Sequence, residues 1–374
     1  MERTVTAQKK KKKRSGSKKF IDYTLLLIIV CILGFGLVML YSTSAYNATL
    51  KYGTSIYYLK KQVIAACMGF AVMYFCIKVD YHFFARFAGI AYLVATILCL
   101  AVNFVGSSGH GSSRWLNIFG VSFQPSELAK IAVILYLAVV ISKRPMAMRT
   151  FQGNVKLLAT ILPIFLVVAY NNLSTAIIIA GIAFIMVFIS SPKTAPFLLG
   201  VLGLAALALV FVFGTYRQER LQIWLHPEDF DKGYQTLQGL YAIGSGGLFG
   251  KGLGESIQKL GFVPEAQNDM IFSIICEELG LFGAICVILM YIMLLWRLLL
   301  IATNAKDMFG SYLVIGIMIH IALQVILNIA VVTNSMPNTG VTLPFISYGG
   351  TSIMFLVAEM GVALSVSKDA HVET

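Results

Sequence analysis

A carboxylate placed where an apolar run begins is the most suggestive chemistry in this chain. Asp269 closes the stretch Val263-Pro264-Glu265-Ala266-Gln267-Asn268-Asp269, just before the apolar Met270-Ile271-Phe272, and Glu277-Glu278 follow inside the same hydrophobic run. Carboxylates at membrane depth are costly and are kept where they act or cap something. Two readings are open for Asp269. It can cap the helix that starts there, or it can take a proton from a hydroxyl held beside it. Glu277 and Glu278 are adjacent and cannot share a helix face, so at most one of them is expected to line the same cavity.

Cations and aromatic residues that could meet an anionic or sugar ligand lie elsewhere. In Gln124-Pro125-Ser126-Glu127-Leu128-Ala129-Lys130, Pro125 suits a first helical turn, and Glu127 and Lys130 stand three apart. They can form a buried pair or line a polar cavity with Lys130 turned to an anion. Arg114-Trp115 reads as an interfacial anchor or as a phosphate and sugar contact. Arg217 and Arg220 open a long polar loop that also carries Lys251 and Lys259. Glycines crowd it at 244–247 and 250–254, a density that permits close backbone approach to a ligand or to the membrane. Gln324 and Asn328, at i and i+4, suit hydrogen bonding between helices. The proline- and glycine-punctuated stretch 336–352 contains Ser347-Tyr348 and cannot be helix throughout, and Glu359 beyond it must pair or face an interior. There is no phosphate-binding glycine loop of the Walker type, no zinc-ligand spacing and no Ser/His/Asp pattern.

The elements that position these residues are apolar. The chain is 58% hydrophobic and 12% charged, with mean hydropathy +0.81. Runs long enough to cross a hydrocarbon core of roughly 30 Å recur along it. They predict an all-α, polytopic membrane protein of about ten transmembrane helices, near 21–43, 62–78, 84–105, 125–142, 157–170, 173–190, 194–214, 270–300, 308–332 and 350–367. The expected organisation is a basic tail at 1–20, a transmembrane domain at 21–367 with a large extracytoplasmic loop at 214–269, and a short tail at 368–374. No internal repeat is evident, which gives an inverted-repeat transporter no support.

The net charge of +12 invites a nucleic-acid reading, but the lysines of 9–13 and their neighbours abut the first span, as a cytoplasmic anchor near anionic lipid does. With the N-terminus inside, Lys143, Arg144, Arg149, Lys156, Lys193, Arg297, Lys306 and Lys368 are all cytoplasmic, and an even span count puts both termini there. The functional face is then extracytoplasmic. The six cysteines sit in or beside apolar runs without disulfide or metal spacing.

Taken in order, Arg114-Trp115, Gln124-Pro125-Ser126-Glu127 with Lys130, the Gly233-to-Gly254 loop, Pro264-Glu265 with Asp269, Glu277-Glu278-Leu279-Gly280 and Leu343-Pro344-Phe345-Ile346-Ser347-Tyr348-Gly349-Gly350 resemble the SEDS family (shape, elongation, division and sporulation), the FtsW/RodA/SpoVE proteins. The resemblance covers nearly the whole chain after the basic tail, and Gly340-Val341-Thr342-Leu343-Pro344 is most like the division branch, FtsW. Two departures stand out. The family commonly has His-Thr where this chain has Gln267-Asn268, and Asp where this chain has Asn172.

The resemblance implies a peptidoglycan glycosyltransferase that polymerises lipid II on the outer face of the bacterial cytoplasmic membrane during cell division. Asp269 is then the catalytic base. Arg114, Trp115, Glu127, Lys130, Arg217, Arg220, Lys259, Glu278, Ser347 and Tyr348 are the candidate substrate contacts. A divalent cation, Mg or Mn, could assist departure of the lipid pyrophosphate. The implied partners are a class B penicillin-binding protein (an FtsI-like transpeptidase) and other divisome proteins, with no nucleic acid. The alternatives are a lipid II flippase, a RodA-like elongation polymerase or a SpoVE-like sporulation polymerase.

Overall fold

A computed structural model describes residues 21–105, 107–109, 112–118, 121–192 and 218–370. Eight of its helices are long and apolar enough to cross a membrane: α1 (Tyr23–Tyr52), α2 (Tyr57–Lys78), α3 (Tyr81–Val105), α4 (Pro125–Lys143), α5 (Phe151–Asn171), α6 (Leu173–Ser190), α9 (Ile271–Thr303) and α10 (Met308–Val332). Two short helices, α7 (Gln218–Leu225) and α8 (Tyr234–Gly246), lie in the long loop, and the apolar α11 (Thr351–Ser367) closes the bundle. The expected spans coincide with these helices, except that 194–214 lies outside the described residues, as do the tail at 1–20 and residues 371–374 of the tail at 368–374. The chain is a multi-pass membrane protein.

One element escapes the all-α expectation. Residues 107–123 form a small antiparallel sheet of β1 (Ser107–Gly109), β2 (Ser112–Ile118) and β3 (Val121–Phe123), with Ser108 opposite Ser113 and Asn117 opposite Ser122. Its strands are short and rich in serine and glycine, so they lack the hydrophobic alternation that announces a strand. The sheet leads into α4, which Pro125 opens at its first turn.

Tight crossings are made by small residues. A Cβ on Gly361 of α11 would lie 2.7 Å from the Met73 Cα of α2, and one on Gly69 of α2 would lie 3.2 Å from the Met354 Cα. This is the close backbone approach by which helices associate without a hydrophobic driving force. Between α5 and α6, Asn172 caps the second helix, its Oδ1 accepting from Thr175 N at 3.2 Å. Asparagine caps as well as aspartate does, so this position keeps its structural role without the family's charge.

Two polar ties measure the bundle. Asp22 caps α1, accepting from Leu25 N at 2.9 Å, and receives Arg297 Nε of α9 at 2.8 Å. Farther along the same two helices, the Ser42 hydroxyl donates to Glu278 Oε1 at 2.6 Å. Twenty residues of α1 separate the ties, about 30 Å of helix, which is one hydrocarbon thickness.

Candidate active site

Helix α9 begins at Ile271, with Met270 in the capping position and no side-chain cap. Asp269 therefore stands one residue outside the cap, which corrects the reading of it as the helix's N-cap residue. Its backbone is held from α10, where the Asn328 amide donates to the carbonyls of Asp269 and Val341, each at 2.7 Å. The second bond draws in the irregular stretch between α10 and α11. There Gly340, at φ +68°, comes so close that a Cβ on it would lie 3.8 Å from Asp269 Oδ2. Only glycine adopts that backbone at no steric cost.

Ser347 and Tyr348 belong to the same neighbourhood through their backbone. Tyr348 N donates to the Gln267 carbonyl at 2.9 Å. Gln62 of α2 grips the segment from the other side, Nε2 donating to the Ser347 carbonyl at 3.1 Å and Oε1 accepting from Gly349 N at 3.3 Å. The Ser347 hydroxyl accepts from Leu343 N at 2.9 Å, so it shapes its own loop. The Tyr348 ring packs edge-to-face on Tyr58 with centroids 5.0 Å apart, and burial raises its hydroxyl pKa, so the group stays a donor at neutral pH. Gln62 was not singled out from the sequence, where it follows Lys60-Lys61 at the start of an apolar run.

Glu127 and Lys130 form a buried pair at 2.9 Å, and Ser352 donates to the other carboxylate oxygen at 2.8 Å. The lysine is 1% exposed, so its ammonium balances Glu127 where it stands. Nearby, Cys99, Val102, Pro125, Ser126, Val168 and Asn172 line a small cleft between α3, α4 and the α5–α6 junction. Glu359 finds the partner its burial demands in His320 Nδ1, at 2.9 Å.

The long loop is docked by the two acids of α9. Glu277 receives Lys251 Nζ at 2.7 Å, the Ser256 hydroxyl, and the backbone N–H groups of Ile257 and Gln258. Glu278 receives Lys259 Nζ at 2.8 Å together with Ser42. Both carboxylates are fully buried. Neither is an open cavity wall, and the sequence reading of Lys259 and Glu278 as substrate contacts gives way to a loop anchor. Isolated charges here would be prohibitively costly, and pairing with the added hydrogen bonds offsets much of that cost.

The docking also repairs a broken helix. Gly280 has φ +67° inside α9 and interrupts its ladder. Lys251 N and Gly252 N donate to the carbonyls of Glu277 and Glu278 at 2.9 and 3.0 Å, while Leu281 N and Phe282 N donate to Gly247 and Leu248 at 2.9 and 3.0 Å. A Cβ on Gly250 would lie 2.1 Å from the Glu278 carbonyl oxygen, which explains glycine at this approach.

Among the remaining candidates, Trp115 is half-buried on β2. The side chains of Arg114 and Arg220, and all of Arg217, lie outside the described residues. One group of metal-ligand type is found among the described residues: His226, Glu228 and Asp229, whose ligand atoms lie within 4.8 Å of one another, all exposed.

Comparison with known proteins agrees with this architecture. The FtsW/RodA/SpoVE cell cycle protein family model matches residues 23–372. Stage V sporulation protein E of Bacillus subtilis is 37% identical over 93% of this chain and 97% of its own length. A probable peptidoglycan glycosyltransferase FtsW of Geobacter sp. (strain M18) is 36% identical over 92% and 96%. Among solved structures, a chain from a peptidoglycan synthase complex that coordinates polymerization and crosslinking superposes with TM-score 0.81 at 26% identity, over 94% of this chain and 99% of that one. The rod shape determining protein RodA of Thermus thermophilus gives TM-score 0.70 at 25% identity, over 94% and 98%. With the matched residues spanning nearly everything after the basic tail, the chain belongs to the FtsW/RodA/SpoVE family of cell cycle proteins.

Proposed function

We propose that this protein is a peptidoglycan glycosyltransferase that polymerises lipid II. The observation that carries the reading is the setting of Asp269: a carboxylate outside the helix cap, its backbone clamped by Asn328 and its side chain approached by the glycine turn at Gly340. The acceptor is the 4-hydroxyl of a GlcNAc unit. Asp269 takes its proton as the oxygen attacks the anomeric carbon of the donor MurNAc. The bond from that carbon to the pyrophosphate oxygen breaks, polyprenyl pyrophosphate leaves with the bonding pair, and the configuration inverts from α to β. The accepted proton passes to water. A positioned base of this kind contributes roughly 10²–10⁴-fold to rate.

Negative charge growing on the leaving pyrophosphate calls for cations. Arg114, Arg217 and Arg220 are the candidates, with Lys130 able to share its charge between Glu127 and a bound phosphate. The cleft beside Pro125 suits part of a polyprenyl tail. A divalent cation, magnesium or manganese, could share this task. Such ions are held by one or two carboxylates together with substrate phosphates, and the two residues preceding Asp269 in the chain carry buried side-chain oxygens, Gln267 Oε1 and Asn268 Oδ1, that have no hydrogen-bond donor. These oxygens would hold the ion, whose chemistry is neutralisation of the pyrophosphate.

The lysine and arginine bias places both termini in the cytoplasm and Asp269 outside. The partner in this reading is a class B penicillin-binding protein, alongside other divisome proteins, because strands must be cross-linked as they are made. Relatives of the division and sporulation branches are equally similar, so the division role rests on the Gly340-to-Pro344 wording alone.

The test is polymerisation of purified lipid II by the full chain, with and without chelator. Asp269→Ala and Asp269→Asn should abolish glycan synthesis while the thermal melt is unchanged. Retained synthesis by either would sink the assignment, and chelator-insensitive synthesis would remove the cation.

A further inference from the structure

The loop between α8 and α9 is turned inside out for a segment in water. Leu248, Phe249, Leu253, Ile257, Leu260 and Phe262 are 44–80% exposed, whereas its two lysines reach inward to Glu277 and Glu278. Single exposed apolar residues need no explanation. Six in so short a stretch, with the cations turned to the protein, do.

Depth identifies what they meet. Leu281 and Phe282 of α9, themselves 54% and 64% exposed, donate their backbone N–H groups to the loop carbonyls of Gly247 and Leu248. They lie about 24 Å of helix from Arg297, whose pair with Asp22 marks the opposite face. In a core of roughly 30 Å this is within the leaflet nearer Asp269. Leu248 and Phe249 therefore extend the lipid-facing surface of α9 at the same depth. The backbone agrees. Irregular chain at membrane depth is tolerated where its polar groups are satisfied by protein, and around the break at Gly280 four backbone hydrogen bonds join α9 to this loop.

We infer that residues 247–262 form a re-entrant loop seated in the outer leaflet, with lipid acyl chains covering its apolar side chains. The loop then tethers Asp269, seven residues beyond Phe262, to the lip of the bilayer. The inference is independent of the chemistry assigned to Asp269.

The full chain reconstituted in phosphatidylcholine vesicles tests it. Phe249→Trp and Leu253→Trp each add one fluorophore to a chain whose own tryptophans are Trp115, Trp224 and Trp296; the added signal is the difference from the unsubstituted protein. Lipids brominated on their acyl chains should remove most of the added fluorescence, and acrylamide in the water little of it. Quenching by acrylamide but not by brominated lipid would place the loop in water. Protection from both would mean that protein, such as a second copy, covers it. Either result overturns the inference. Two sites are used so that misfolding of one variant leaves the other to decide.

Discussion

The Asn328 side chain donates at 2.7 Å to the carbonyl of Asp269, and at the same distance to that of Val341. One amide thus fastens the chain just before α9 to the irregular stretch that brings Gly340 beside the Asp269 carboxylate. Asn328 is a positioning residue. It acts through two backbone groups, the carbonyls of Asp269 and Val341.

Asn328→Ala should lower kcat for lipid II polymerisation at least tenfold with KM little changed. It leaves two carbonyls without their donor, at a cost of about 1–3 kcal/mol each in stability. Asn328→Asp, which keeps the shape but loses the donor, should be no better. Steady-state kinetics with a parallel thermal melt check this; a fall in melting temperature with normal kcat would reduce Asn328 to structural glue.

Lys259→Met should destabilise the protein by about 3–5 kcal/mol, because it strands a buried Glu278 carboxylate. Adding Glu278→Gln removes that stranded charge and should recover much of the loss. The double-mutant cycle, read by denaturation in detergent, gives the coupling; additive effects would show that the pair is not closed from water.

Gly250→Ala should disturb the loop more than Gly244→Ala. Gly250 sits at φ +79° against the Glu278 carbonyl, while a Cβ on Gly244 meets nothing within 4 Å. The left-handed backbone alone costs about 1–2 kcal/mol for a residue with a Cβ. Limited proteolysis of the 247–262 loop in vesicles should accelerate for Gly250→Ala and stay unchanged for Gly244→Ala.

Asp307 caps α10 and binds the Tyr81 hydroxyl. Burial alone would raise its pKa, but the Tyr81 hydroxyl, the Gly310 N–H and the nearby His82 outweigh it and hold the carboxyl below its ordinary value. A depressed folded-state pKa contributes stability above the unfolded pKa, and that contribution disappears as pH falls through the folded one. The melting temperature of the wild type should therefore drop on acidification from neutral pH into this range. Asp307→Asn should show a flatter dependence, while an unchanged slope would remove Asp307 as the cause.

How much of this was legible can be argued residue by residue. The helices were, because an apolar run long enough to cross a bilayer has few other places to go. Asp269 was conspicuous as a carboxylate beginning such a run, and Glu359 announced that it needed a partner without naming His320. The serine- and glycine-rich sheet of β1, β2 and β3 was not legible, since its strands are short and carry no regular apolar alternation. Nor was Gln62, whose two bonds to the 347–349 backbone depend on how α2 and α11 cross.

By itself, the sequence determined the family and the spans among the described residues, and it singled out Asp269 as the candidate base, because hydropathy and local pattern are properties of contiguous residues. Which lysine meets which glutamate, and that Asp269 lies outside the helix cap beneath a glycine from a distant loop, only the tertiary structure decided. Those pairings join positions up to hundreds of residues apart. Inside an apolar bundle, each charge must find its partner wherever the path of the chain leaves one.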